Sequence, residues 1–127
     1  MKVLHLVGDH EDAGGVLSVI RNLQAVTPEG EMHHCVWVKE GYRESRQPAL
    51  EYRYSPSVIA ESTKHLRLFA QALPAYGDLK RLLQREPFDI IHAHSRGTLL
   101  VGMLAARFLK RSVIFTNHNY ARRLGLY

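Results

Sequence analysis

Cysteine is almost absent from this sequence, in which Cys35 is the only one. A single cysteine excludes an intramolecular disulfide and any zinc site built from several cysteines, so a reducing compartment is expected. Long apolar runs are also lacking, because no stretch approaches the roughly 18 apolar residues of a membrane-spanning helix. The amino terminus does not have the pattern of a secretory signal, since His5 interrupts its short apolar run and a charged segment follows. These features predict a soluble, cytoplasmic domain.

Glycine and proline are scarce as well, with 9 and 5 residues among 127, and 46% of the residues are hydrophobic. This composition excludes a disordered or low-complexity chain. The length suits one domain with one buried core and leaves little room for a second.

The chain has a basic excess, with 17 lysines and arginines against 12 acidic residues, a net charge of +5. A nucleic-acid surface needs basic residues clustered on one face with aromatic side chains between them, but here they are spread along the chain. This spread disfavours nucleic acid and leaves two interpretations, a solvated surface or contact with an anionic membrane or phosphate ligand. The basic residues of segment 62–85, which could meet anionic lipid headgroups, are Lys64, Arg67, Lys80, Arg81 and Arg85.

Strand and helix patterns alternate from the first residue onward. Short apolar and β-branched runs predict strands at residues 2–7, 33–38, 50–54, 89–93 and 112–116. Apolar residues at three- and four-residue spacing predict helices at residues 16–23 and 97–109, and in segment 62–87. This order predicts an α/β fold, a Rossmann-like parallel sheet with helices on both faces.

The helical segment 62–87 is predicted in two parts. Ser62 or Thr63 could cap the first part, and Pro74 should interrupt the helix before the second part runs to Pro87. The apolar positions that we expect to be buried are Leu66, Phe69, Ala70 and Leu73 in the first part, and Leu79, Leu82 and Leu83 in the second.

Three segments follow strands at the edge where sheets of this kind bind ligands, residues 8–15, 94–97 and 117–120. In the first, Gly14 and Gly15 precede a helix, so the backbone could approach a ligand closely and helix N–H groups could face an anion. A simple turn into the helix is the alternative. The segment has neither the dinucleotide-binding glycine pattern nor a Walker lysine.

In the second segment, His92 and His94 lie two apart, so both side chains share one face of the strand. A metal site would need a third ligand, which the sequence does not indicate, and we predict no metal. His92 is interpreted as structural, and His94 either as a packed histidine or as part of a ligand cleft. Ser95 is well placed to cap the next helix.

In the third segment, Asn117 and Asn119 flank His118 directly after a strand. An imidazole between two amides suits hydrogen bonding to sugar hydroxyls, or polarising a reacting hydroxyl.

The ordered motifs AGGVLSVIRNL, PFDIIHAHS and VIFTNHNY resemble the amino-terminal half of retaining glycosyltransferases of family 4, which have the GT-B fold. The resemblance implies that Gly14 and Gly15 lie beside the donor diphosphate and the acceptor. It implies that His118 is the catalytic residue, contacting the transferred sugar or the acceptor hydroxyl. His94 and Ser95 would line the acceptor side, and Asn117 and Asn119 would also bind substrate.

As a whole, the resemblance implies an acceptor-binding part of an enzyme of polysaccharide biosynthesis that moves a sugar from a nucleotide sugar to a hydroxyl acceptor. The acceptor could be a glycan, a lipid-linked compound or a small molecule, and no cofactor is expected besides the nucleotide-sugar donor. The sequence has no Glu-x₇-Glu segment and no second Rossmann-like unit, so we expect residues 1–127 to form one partial domain without the carboxy-terminal donor domain. The isolated chain should be inactive and should self-associate through an uncovered apolar edge or face.

Two alternatives to this interpretation stay open. The chain could be a half-enzyme that works with a separate donor-binding chain, or a non-enzymatic Rossmann-like binding module. Peripheral contact with the inner face of the membrane is compatible with the enzyme interpretations.

Overall fold

A computed structural model describes residues 1–7, 15–28, 30–42, 50–57 and 65–116. All the strands in these ranges are parallel and form one sheet in the order β3-β2-β1-β4-β5, which confirms the predicted α/β class. The elements are β1 (Lys2–Leu6), α1 (Gly15–Val26), β2 (His33–Lys39), β3 (Glu51–Ser55), α2 (His65–Arg85), β4 (Ile90–Ala93), α3 (Arg96–Leu109) and β5 (Ser112–Phe115).

The helices cover both faces of the sheet, as predicted. Since side chains alternate along a strand, β1 sends Leu4 and Leu6 to one face and Val3 and His5 to the other. The first face packs against α2 and α3, and the second packs against α1 through residues such as Leu17. The segment order therefore produces a three-layer arrangement of helix, sheet and helix.

Gly102 sets how closely α3 approaches the sheet. A Cβ atom at this position would lie 3.1 Å from Cγ1 of Val113 and 3.9 Å from side-chain atoms of Ala93 and Leu6. The lack of a side chain therefore lets the helix backbone lie directly over β1, β4 and β5.

The prediction that Pro74 interrupts a helix is wrong, because α2 continues from His65 to Arg85 with Pro74 inside it. Proline at this position removes one intrahelical hydrogen bond. Burial of Ala72 and Ala75, on either side of the proline, holds the helix together there. Packing in the tertiary structure thus overrides the local preference of proline.

The predicted buried face of the first half of α2 is also wrong. Leu66, Phe69 and Leu73 are 85%, 58% and 68% exposed, and Ala70 is exposed as well. The helix carries two apolar stripes, and only one of them is buried against the sheet and α3. The buried stripe consists of Ala72, Ala75, Leu79, Leu82 and Leu83, so the prediction for the second half is confirmed.

An ion-pair network lies where α2 ends and the first strand begins. The Glu86 carboxylate accepts hydrogen bonds from Lys2 Nζ at 2.5 Å and from Arg53 Nε and Nη2 at 2.7 and 2.6 Å. Hydrogen bonds from Arg53 and Lys2 lower the pKa of Glu86 to about 2. This half-buried carboxylate therefore ties β1 and β3 to the end of α2.

The edge strand β5 keeps apolar side chains at the surface, with Ile114 48% and Phe115 38% exposed. Self-association through an uncovered apolar edge or face stays a prediction. Among the described helices, none has the length and apolar character needed to cross a membrane.

Candidate functional site

The strand order reverses between β1 and β4. From β1 the chain moves to β2 and β3 on one side, and it later returns to β4 and β5 on the other. At the carboxyl end of these two central strands, α1 begins at Gly15 and His94 directly follows β4. Parallel α/β sheets bind their ligands at this reversal point, so the edge between β1 and β4 is the candidate site.

Ser95 fixes the backbone at this edge by capping α3, as the sequence predicts. Its Oγ accepts a hydrogen bond from the Thr98 amide at 3.2 Å, and Oγ1 of Thr98 accepts one from the Ser95 amide at 3.0 Å. Thr98 is fully buried, so this reciprocal capping box is rigid. No residue separates the end of β4 from the cap except His94, which is held between two fixed elements.

Four imidazoles converge beneath this edge on the α1 face of the sheet. They belong to His5 on β1, His34 on β2, His92 on β4 and His94 after β4. The rings of His92 and His94 stack with their centroids 4.1 Å apart, and the His5 ring lies 5.1–5.2 Å from each of the other three. His5 is fully buried, and His34 and His94 nearly so.

Hydrogen bonds connect three of these rings in a row. Nε2 of His94 lies 3.0 Å from Nδ1 of His5, and Nε2 of His5 lies 2.9 Å from Nδ1 of His34. The row continues from Nε2 of His34 to Oγ1 of Thr27 at 3.3 Å, near the end of α1. The fourth ring, His92, instead bonds through Nε2 to Oγ1 of Thr116 at 2.6 Å.

Burial keeps His5 and His34 neutral. Burial is the main reason why the pKa of His5 is lowered to about 2, and the neighbouring imidazoles of His94, His92 and His34 contribute to that shift. Burial also lowers the pKa of His34, with His33 as a second cause. At neutral pH His5 and His34 therefore act as neutral hydrogen-bonding groups, each with one N–H donor and one acceptor nitrogen.

A metal ion is the other occupant that this chemistry permits. His5, His92 and His94 each offer a ring nitrogen, and the three atoms lie within 4.8 Å of one another. A second possible ligand group, His33, Cys35 and Glu51, is less suited, because burial raises the pKa of Cys35 to about 11 and disfavours the thiolate. In the second group, Glu51 also pairs with Arg53.

Sequence reasoning missed His5 and His34. Both lie on strands other than the one that carries His92, and His5 is 89 residues before His94. A polar residue at an inward position of an apolar strand was the available signal. Without the sheet order, however, nothing in the sequence indicates that these positions meet.

A family model for Glycosyltransferase Family 4 matches residues 13–127. The chain belongs to glycosyltransferase family 4. This confirms the resemblance that the three motifs suggested. A search of curated protein sequences finds no match.

The solved structure of the glycotransferase of kitacinnamycin resembles this family 4 chain, with a TM-score of 0.59 and 12% identity. The likeness covers 91% of this chain and 30% of that one. At this identity it shows the fold, and the family 4 chain spans less than a third of that protein.

Within the family 4 chain, the structure places only some of the predicted site residues. His94 and Ser95 lie at the candidate site, and Gly15 begins α1 on the neighbouring strand connection. Gly14, Asn117, His118 and Asn119 lie outside the described residues, so their roles stay predictions.

Proposed function

We propose that this chain is the acceptor-binding, amino-terminal part of a retaining glycosyltransferase that moves a sugar from a nucleotide sugar to a hydroxyl acceptor. The observation that carries the proposal is the histidine-lined edge between β1 and β4, at the reversal of strand order in a family 4 chain. A polar edge at which an imidazole is held by its neighbours suits recognition of hydroxyl groups through oriented hydrogen bonds.

The proposed roles follow from position. The donor diphosphate would lie near Gly14 and Gly15, where α1 begins with no acidic residue in its first turn. The N–H groups of a first helical turn that carries no acidic side chain favour an anion. His118, between Asn117 and Asn119, would hydrogen-bond the transferred sugar or the acceptor hydroxyl, and His94 would line the acceptor side.

In this proposal these residues position the donor and the acceptor. Retaining transfer in this proposal depends on holding donor and acceptor in a reactive geometry and on stabilising developing charge. Imidazoles and amides supply oriented hydrogen bonds for this purpose. The proposal needs no resident cofactor, since the nucleotide sugar is a co-substrate, and it needs no metal.

A second proposal concerns where the acceptor is met. The exposed stripe of α2 and the facing side of α3 form an apolar groove of about 510 Å³, and Arg107 lies at this groove. Arg67 and Lys80 are exposed on the same helix as the stripe. We propose that this face contacts an anionic membrane surface peripherally, because apolar side chains beside basic ones are typical of interfacial binding. The groove residues are Phe69, Ala72, Leu73, Leu100, Met103, Leu104, Arg107 and Phe108.

The transfer proposal is tested on the full protein with a panel of UDP- and GDP-hexoses and hydroxyl acceptors. We expect product formation with retained anomeric configuration, and a loss of turnover in His118→Ala and His94→Ala. His33→Ala is the matched control, because His33 is an exposed histidine at the start of β2. Unchanged turnover in both site variants would refute the assignment of the site.

Two outcomes would favour the alternatives. Turnover that appears only when a separate donor-binding chain is added indicates a half-enzyme. Binding of a nucleotide sugar or sugar acceptor without any transfer indicates a binding module.

A further inference from the structure

We propose that His5 and His34 are positioning residues that hold His94 in one ring orientation and one tautomer, with the proton on Nε2 and the lone pair on Nδ1. The proposal rests on the proposed function only in assigning His94 to the acceptor side. The tautomer itself follows from the hydrogen-bond row described above.

The donor and acceptor of each hydrogen bond in the row are determined at its Thr27 end. Oγ1 of Thr27 lies 2.5 Å from the Leu23 carbonyl oxygen, which can only accept a hydrogen bond. The Thr27 hydroxyl therefore donates its single proton to this carbonyl oxygen. Nε2 of His34 must therefore donate to the Thr27 oxygen. A carbonyl group in α1 thus determines which nitrogen of His34 carries the proton.

The same logic passes along the row. A neutral imidazole has one N–H, so Nδ1 of His34 accepts and Nε2 of His5 donates to it. Nδ1 of His5 then accepts, and Nε2 of His94 donates to it. The depressed pKa of His5 supports this assignment, because a charged His5 would need two acceptors in a buried site.

The row gives His94 a definite chemical character. Its backbone is fixed by the strand and by the Ser95 cap, and its ring is fixed by the bond to His5 and by stacking on His92. With Nε2–H committed to His5, the other ring nitrogen of His94 is an acceptor. We therefore expect Nδ1 of His94 to act as a hydrogen-bond acceptor, and not as a donor.

A metal ion at His5, His92 and His94 is the competing assignment, and it makes a different prediction. Because His5 donates through Nε2 to His34, only Nδ1 of His5 could bind the metal. That atom is the acceptor for His94, so a bound metal would break the row at this point.

The test uses the full protein labelled with ¹⁵N at histidine and long-range ¹H–¹⁵N correlation spectra at pH 7.5. We expect His5, His34 and His94 to be neutral, each with a protonated Nε2 and an unprotonated Nδ1. In His5→Leu, His94 should become a mixture of tautomers. In His5→Gln, whose amide can accept from His94 and donate to His34, a single Nε2–H form should persist.

Val38→Ala is the matched control, because Val38 is fully buried on the same face but takes no part in the row. It should lower stability and leave the His94 tautomer unchanged. If the proposed transfer activity is present, His5→Leu should lower kcat/KM by about 10- to 100-fold, and His5→Gln should restore most of it.

Two results would overturn the proposal. One is an Nδ1–H form of His5 or His94 in the wild-type protein, which decides the matter even if His5→Leu does not fold. The other is stoichiometric binding of added ZnCl₂ that shifts the signals of His5, His92 and His94 together. Absence of transfer would count against the proposed function alone, since the spectra report the tautomer independently.

Discussion

Acid should destabilise this fold well before its carboxylates are protonated, and His5 should be the main cause. The pKa of His5 is about 2 in the folded protein, against the usual 6.5. Below pH 6.5 the unfolded chain binds a proton at His5 that the folded chain does not bind. The free energy of unfolding therefore falls as pH falls, and this contribution to stability is fully present only above pH 6.5.

The size of the loss in unfolding free energy follows from the lowered pKa of His5. Each pH unit below 6.5 costs about 1.4 kcal/mol for one such histidine, so His5 alone removes about 2.7 kcal/mol at pH 4.5. His34 acts in the same direction, because burial lowers its pKa as well. A domain has a total stability of about 5–15 kcal/mol, so the loss is a large share of it.

The assay is urea unfolding at pH 8, 6.5, 5.5 and 4.5, followed by far-ultraviolet circular dichroism. The range stops at pH 4.5 because below it Glu86, whose pKa is also depressed, begins to contribute. His5→Gln should flatten the dependence on pH by about 2.7 kcal/mol over this range. Val38→Ala, a buried position on the same face without a titratable group, is the control, and it should lower stability equally at every pH. An equal slope in His5→Gln and wild type would refute the reasoning.

Three further predictions can be checked separately. In the full transferase, His118→Ala should reduce kcat/KM by about 10²–10³-fold through loss of one oriented contact, and a change within about threefold would make it a packed histidine. Glu86→Gln should lower the free energy of unfolding by about 1–3 kcal/mol, because Lys2 and Arg53 lose their charged partner; unchanged urea midpoints would contradict this. Flotation with anionic liposomes should recover more protein than with neutral ones, and Phe69→Ser should reduce that recovery, whereas equal recovery with both lipids would exclude electrostatic attraction.

Much of the fold could be predicted because local patterns encode it. Short β-branched runs such as HHCVWV and the spacing of apolar residues in α3 gave the order of strands and helices. That order, with the rule for crossover connections, leaves few topologies open. The strand ends differ from the prediction by at most one residue, since hydrogen bonding between neighbours decides where pairing stops.

The errors arise where a choice depends on what lies opposite. Segment 65–85 has two apolar stripes, and the periodicity of its apolar residues cannot tell which stripe is buried. The stripe that begins at Leu66 stays exposed, and the stripe with Ala72 and Ala75 is buried instead. The small side chains of these two alanines allow α2 to pack closely against α3. The prediction for Pro74 is wrong for the same reason. Proline destabilises the helix locally, whereas the packing that offsets this loss involves distant residues.

The candidate site was predicted only in part. His94 and Ser95 could be found because they directly follow a strand. The pairing of His5 with His94 depends on β1 and β4 being neighbours, a contact between distant parts of the chain. The proton positions depend on a further contact, the one between Thr27 and His34, which no pattern in the sequence indicates.

The ion-pair network around Glu86 has a consequence for how such a protein can diversify. It fastens β1, β3 and α2 near the end of the sheet where β1 and β4 begin, away from the edge that His94 occupies. Segments that follow the strands at the His94 edge can therefore accept changes in length and composition at little cost to the fold. One rigid framework could in this way be adapted to different ligands, with Lys2, Arg53 and Glu86 left unchanged.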